Sequence, residues 1–229
     1  MTKIKTKQLN IISYNLKYHR ANRELAGLSE AYDADILCLQ ECFAESLPDK
    51  ISHLVLADKT KGGRFNLAIY YRPERFRPVT TESHSLKQSV VEKIYMQPTE
   101  RLLVGKLRDV VSQQDIIVGS FHATHHVAGN SLRRQQIQTA HEKLSELCGQ
   151  NPAIMVGDYN YALFKKHLKV FIENSGYQMN KSDLPTYYFN KMMRMHFDLT
   201  TSINANISRV CTLPRGLSDH SPILVQAMV

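Results

Sequence analysis

The sequence predicts a single domain of the α+β class, and three observations lead there. Short apolar runs recur from residue 9 to residue 228, too short for core helices and bounded by polar or Gly/Pro turns. Helical periodicity breaks in at only a few places between them. Across 229 residues there is no internal repeat, no low-complexity segment and no linker, and 43% hydrophobic content is enough for a full core.

Taken in order, residues 9–16 read as a strand. Residues 20–32 read as a helix with Leu25, Leu28 and Ala31 on its apolar face. Residues 35–40 return as a buried strand, and 43–51 read as a short helix interrupted by Pro48. A turn at 61–64 leads to a strand at 66–72, which Pro73 ends. Residues 74–97 mix polar and β-branched residues and read as an excursion with short strands. Residues 102–107 and 115–122 form an antiparallel pair about the polar turn at 109–114. Asn130 or Ser131 caps a helix to Cys148, with Leu132, Ile137, Ala140, Leu144 and Leu147 buried and Gly149 at the stop. A strand at 152–156, a helix at 164–174 and strands at 186–189, 197–201, 207–213 and 223–228 complete the chain.

The net charge of +8 and pI near 9.3 favour a polyanionic partner, nucleic acid first and an acidic membrane surface second. The basic residues cluster as Lys3, Lys5, Lys7, Lys17, Arg20 and Arg23, then as Lys59, Lys61, Arg64, Arg72, Arg75 and Arg77, then as Lys165, Lys166 and Lys169. All three clusters are expected near the functional end of the strands, as a rim for phosphates. Cys38, Cys42, Cys148 and Cys211 lack zinc-like spacing and read as free, mostly buried thiols. With no apolar signal segment and no run of membrane-spanning length, the expectation is a cytoplasmic monomer.

Chemistry concentrates at strand ends. Residues 9–15 end in Asn15, 34–41 in Glu41, 116–122 in His122, and 153–160 in Gly157-Asp158-Tyr159-Asn160. Ser218-Asp219-His220-Ser221-Pro222 stands just before the strand at 223–228. A carboxylate ending a buried strand is costly unless it is paired or bound to metal. One such tip means little; several together are hard to explain by packing.

These segments, in this order and over nearly the whole chain from Asn10 to Val225, resemble the endonuclease/exonuclease/phosphatase superfamily, the deoxyribonuclease I-like fold. The motifs are Ser13-Tyr14-Asn15, Leu39-Gln40-Glu41, Phe121-His122, Gly157-Asp158-Tyr159-Asn160, Phe197-Asp198 and Ser218-Asp219-His220-Ser221-Pro222. The resemblance implies two packed, mostly antiparallel β-sheets flanked by helices, a four-layer α/β/β/α sandwich. It also implies cleavage of phosphate esters with Mg²⁺, or Mn²⁺ in its place.

On that resemblance Glu41 is the first metal ligand, with Asn15 and Asp219 as further ligands. His122, Asp158, Asn160, Asp198 and His220 form the catalytic set, Asp198 orienting His220. Arg133, Lys165 and Lys166 are expected at the substrate. The family usually follows the Asp198 position with Tyr, whereas Leu199 stands here, and the Glu that pairs with the His122 position in deoxyribonuclease I has no counterpart in residues 66–72. His122 itself matches the deoxyribonuclease I and sphingomyelinase branches, since exonuclease III-like enzymes usually carry Tyr there. The leading reading is a DNA nuclease. The alternative is a lipid or inositol-phosphate phosphoesterase, disfavoured because the chain has no Trp and carries Val210-Cys211-Thr212-Leu213-Pro214-Arg215 in place of the inositol branch's Pro-Ala-Trp-Cys-Asp-Arg-like motif, and because no export signal or exposed aromatic membrane loop is legible. A nonenzymatic nucleic-acid-binding module would predict decay of a catalytic tip, and all tips are intact.

Overall fold

Side-chain alternation along two sets of strands decides which residues meet between two β-sheets packed face to face. A computed structural model of the chain describes residues 8–61, 65–89, 100–125, 128–189 and 193–229. Strand β1 (Gln8–Asn15) leads through a 3₁₀ turn (Arg20–Glu24) and α1 (Leu25–Ala31) to β2 (Ile36–Cys42). Strands β3 (Lys50–Ile51), β4 (Leu54–Lys59), β5 (Asn66–Tyr71), β6 (Phe76–Ser85), β7 (Glu100–Asp109) and β8 (Gln114–His122) follow. Then come α2 (Asn130–Cys148), β9 (Ala153–Asp158), α3 (Lys165–Glu173), β10 (Gln178–Lys181), β11 (Tyr187–Phe189), β12 (Met193–Met195), β13 (Asp198–Ile203), β14 (Asn206–Thr212) and β15 (Ile223–Met228).

One sheet runs β14-β15-β1-β2-β5-β4-β3 and the other β10-β13-β9-β8-β7-β6, with β11 and β12 as a separate hairpin. Within the two sheets every pairing is antiparallel except β1 with β2 and β8 with β9. Leu9, Ile11, Ile36, Cys38, Ile116, Val118, Ile154, Val156, Ile223 and Val225 fill the layer between the sheets. The alternate residues face outward. Ile12, Tyr14, Leu37 and Leu39 pack with Leu25 of α1, and Val104, Ile117 and Met155 pack with Ile137 and Leu144 of α2 and Leu168 of α3. The result is the four-layer sandwich that the resemblance implied. Among the described residues no helix is long and apolar enough to cross a membrane.

Several local expectations change. The segment read as a helix at 43–51 forms only a 3₁₀ turn at Ala44–Ser46, then β3, because Pro48 holds its neighbours extended. The helix read over 20–32 begins as 3₁₀, following three left-handed residues, Lys17, Tyr18 and His19. The α2 N-cap is Gly129; the Asn130 side chain instead accepts from Arg133. Arg72, Arg75 and Arg77 lie away from the strand tips. Arg72 and Arg75 pair with Asp35 at the entry to β2, and Arg75 also with Asp109. The reason is direction: β5 is antiparallel to β2, so its C-terminal end reaches the opposite edge of the sandwich. Lys3, Lys5, Lys7, Arg64, most of the 61–64 turn and residues 90–97 of the excursion lie outside the described residues.

Beneath α2, His141 is buried, stacks on Tyr177 at 3.8 Å between ring centroids and bonds Thr201 Oγ1 at 2.9 Å. Burial pushes its pKa from 6.5 down to about 3. Below pH 6.5 the unfolded chain takes up a proton that the fold refuses, so the stability is whole above that pH and is lost as pH falls. Between pH 7 and pH 5 this one group should cost about 2 kcal/mol. Urea unfolding of His141→Gln should therefore show a smaller acid loss than the wild type; equal losses would contradict the assignment.

Candidate active site

The same alternation that builds the central layer delivers polar residues to its end. In β1 the inward series Leu9, Ile11, Ser13 ends at Asn15; in β8 Ile116, Val118, Ser120 ends at His122; in β9 Ile154, Val156 ends at Asp158. In β13, antiparallel to β9, Asp198 stands directly opposite Asp158. Just below these tips Gln40 Nε2 donates to Ser120 Oγ across the sheets at 3.0 Å, locking their relative position.

Two residues need special backbone. Leu37 and Leu39 face outward, so regular alternation would send Glu41 outward too. Glu41 has φ 53, and the β2–β5 register shifts between Leu39 and Cys42. This irregularity turns the Glu41 carboxylate toward the site, a known use of bulges. Gly157, with φ 146, lies opposite Phe121, and a Cβ there would fall on the Phe121 carbonyl oxygen. Only glycine lets β8 and β9 run close enough to bring His122 level with Asp158.

Asn15 Nδ2 donates to Glu41 Oε1 and to Asp158 Oδ2, both at 3.1 Å, while its oxygen accepts from Lys17 N at 3.0 Å. The amide nitrogen, not the oxygen, thus lies between the two carboxylates. Asp158 also accepts from Asn160 N at 2.8 Å and Asn160 Nδ2 at 3.1 Å. His220 Nδ1 bonds Asp198 Oδ2 at 2.8 Å, and its Nε2 faces Asp158 Oδ2 at 3.7 Å. His122 Nε2 lies 3.7 Å from Glu41 Oε1 and from Asp158 Oδ2. Ligand atoms of Glu41, His122 and Asp158 all fall within 4.8 Å of one another, a spacing that can hold a metal ion. Asp219 is not in that group; it pairs with Lys17 at 2.8 Å.

The buried charges are unbalanced in an informative way. Burial raises the pKa of Glu41 and of Asp158, His220 pulling Asp158 back down. Burial alone would depress His220, but Asp198 and Asp158 outweigh it and hold the ring protonated. His122 is pushed well down by burial, with Arg101 and His220 adding to it, and stays neutral. Two imidazoles in opposite charge states flank one carboxylate pair.

The expected substrate residues separate. The Arg133 guanidinium donates to Asn130 Oδ1 and to the His125 carbonyl, and Gln136 binds the backbone at Thr124 and Lys87; together they pin the segment that follows His122. Lys165 has its Nζ buried with no hydrogen-bond partner. Lys166 is exposed on α3. Sequence reasoning missed four contributors. Ser218 Oγ accepts from His220 N and donates to the Asn15 carbonyl, joining the segments that carry those two residues. Thr186 Oγ1 accepts from Asp198 N, Tyr187 packs its ring against His220 at 4.8 Å, and Lys17 holds Asp219. Ser218 sat inside a recognised motif and Lys17 in the first basic cluster; for Thr186 and Tyr187 no sequence signal exists.

The profile of the Endonuclease/Exonuclease/phosphatase family matches residues 12–220. No curated protein matches the sequence significantly. Among solved structures, D. rerio TDP2, complexed with a single-strand DNA product, superposes with a TM-score of 0.74 at 16% identity, covering 96% of this chain and 99% of that one. A mannosyl-6-phosphatase of Bacteroides thetaiotaomicron gives 0.73 at 20% identity, covering 96% and 100%. ANGEL2, a 2',3'-cyclic phosphatase, gives 0.72 at 13% identity, covering 99% and 97%. At these identities the likeness is one of fold.

Proposed function

The chain belongs to the endonuclease/exonuclease/phosphatase family of phosphoesterases, and from that premise we propose that it hydrolyses nucleic-acid phosphodiester bonds, DNA preferred. The observation that carries this reading is the Asp198–His220 pair facing the carboxylates of Asp158 and Glu41. The donor set fits a hard cation: the Glu41 and Asp158 carboxylates are buried, that burial raises both, and their ligand atoms and that of His122 lie within 4.8 Å of one another. Mg²⁺, with Mn²⁺ as its substitute, would be held by Glu41 with Asp158 beside it and would supply charge neutralisation at the phosphate; Asn15, whose oxygen is taken by Lys17 N, and Asp219, paired with Lys17, do not join that ligand group, although the sequence led one to expect it.

The chain's own residues do the rest. Protonated His220, oriented through Nδ1 by Asp198, donates from Nε2 to the departing ester oxygen as its bond to phosphorus breaks. Asp158, fixed by both nitrogens of Asn160 and raised toward neutrality, takes the proton of the attacking water. Neutral His122 orients that water or the ester without adding charge. Residues 1–229 act as one catalytic domain, as a monomer and in the cytoplasm. The +8 charge, the basic residues beside Asp158 and the DNA-bound TDP2 relative support a nucleic-acid substrate.

One observation favours a lipid phosphodiester instead: Leu163 and Phe164, 64% and 63% exposed, stand next to Lys165 and Lys166, an apolar tip that the sequence did not announce. A single panel separates the readings. The protein is incubated with plasmid, single-stranded DNA, RNA, sphingomyelin vesicles and a sugar 6-phosphate, with Mg²⁺ or with chelator. Cleavage of DNA that chelator abolishes is the expected result. Hydrolysis of the lipid alone would transfer the assignment to the alternative, and no turnover of any ester would remove the hydrolase reading.

A further inference from the structure

Beside the catalytic carboxylates, cations gather around one buried ring. Tyr161 has no exposed surface. The Arg133 guanidinium carbon lies 5.9 Å from its ring centre and Lys165 Nζ 5.7 Å, while Arg134 Nη1 donates to its hydroxyl at 3.0 Å. Lys181 of β10 is close enough for Lys165 to feel its charge. Among the described residues Lys165, Arg134 and Lys181 form no ion pair. Lys165 is the decisive member: its ammonium is buried, makes no hydrogen bond, and feels Asp158 and Asp198 without touching either.

A buried amine without a hydrogen-bond partner is expensive to charge: burial lowers the pKa of Lys165 to about 7, although Asp158 and Asp198 pull it back up. Tyr161 relieves only part of that cost through its ring face. The arrangement makes sense when an anion completes it, with Lys165 and Arg134 as donors. On the function proposed above the scissile phosphate lies between His220, Asp158 and Glu41, and Lys165 Nζ bonds none of these three. The geometry points to a subsite for a second phosphate, next to the one that is cleaved, formed by Lys165 and Arg134 with Lys181 at its rim. It deepens the phosphoester-hydrolase reading and rests on it: the preferred substrates carry a second phosphate adjacent to the scissile ester. A nucleic-acid strand supplies one at every nucleotide, and a polyphosphorylated sugar supplies the same chemistry.

Binding tests this with the divalent cation chelated, so that nothing is hydrolysed. A fluorescent oligothymidylate is displaced by the dinucleotide TpT, by pTpT and by TpTp, and in parallel by a sugar monophosphate and the matching bisphosphate. In the wild type an added phosphate should tighten binding about 10-fold, and in Lys165→Met/Arg134→Gln the gain should fall below about twofold. A gain confined to the dinucleotides identifies a strand as the source; a gain confined to the sugar pair identifies a small polyphosphate; either supports the subsite. No gain in the wild type, or an undiminished gain in a folded double variant, overturns it. Lys165→Gln alone replaces the double variant if that one fails to fold. A wild type that shows the gain yet turns over no ester would keep the subsite and remove the hydrolase reading.

Discussion

His220→Ala is expected to lower kcat on a DNA phosphodiester by about 10³-fold. The ring is buried, and its Nδ1 is occupied by Asp198 at 2.8 Å, so only Nε2 is left to meet substrate. Asp198→Asn should act through that ring. An amide can still accept from Nδ1–H, but it no longer favours the imidazolium, so the proton that His220 is meant to donate is held less firmly. The two losses should therefore overlap, the double variant being little worse than His220→Ala alone. Multiplicative losses would show that the residues act separately. Circular dichroism on all three variants guards against a trivial explanation, because both side chains are buried.

Glu41→Gln should reduce turnover by about 10²-fold or more in limiting metal, with partial recovery as metal is raised. The thermal midpoint of the metal-free protein should stay the same or rise. Burial opposes the charge of Glu41, so a neutral isostere removes a penalty while keeping the volume. The carboxylate accepts from Asn15 Nδ2 and Tyr18 N, and Gln can keep one of those bonds. Unchanged activity in limiting metal would exclude Glu41 as a ligand. A collapse in stability would instead make it a structural residue.

The readable part of this molecule followed from alternation. Runs such as Ile116, Val118, Ser120, His122 and Ile154, Val156, Asp158 carry their inward face plainly, and a polar residue at the end of that series has only the end of the layer to occupy. Asn15, His122 and Asp158 were legible as such ends, whereas Asp198, which opens β13, came from the family resemblance. Glu41 was found by motif although its parity was wrong, since the left-handed backbone that rescues it is a tertiary outcome. Strand β6 was obscure because it is an edge strand with most side chains exposed or half-exposed, so it has no hydrophobic period. The basic residues after β5 were misplaced because a strand's direction in its sheet is not written in its own residues. The burial of Lys165 was equally invisible: an ammonium at the start of an amphipathic helix reads as solvated until the neighbouring ring is known.

Glu24 accepts from Tyr14 Oη at 2.8 Å and from Leu217 N at 2.6 Å, and β15 sits between β14 and β1, with Ser13 opposite Ile223 next to the Asn15 tip. The catalytic end of the molecule is thus closed by pairings between residues some two hundred positions apart. Loop-closure entropy makes such contacts slow to form, and they come late in folding. On a ribosome, β1 has a bare edge beside β2 until residues 223–228 emerge, and His220 arrives with them. No fragment ending before that point holds the whole constellation, and a partly made chain exposes a hydrophobic strand edge that invites association.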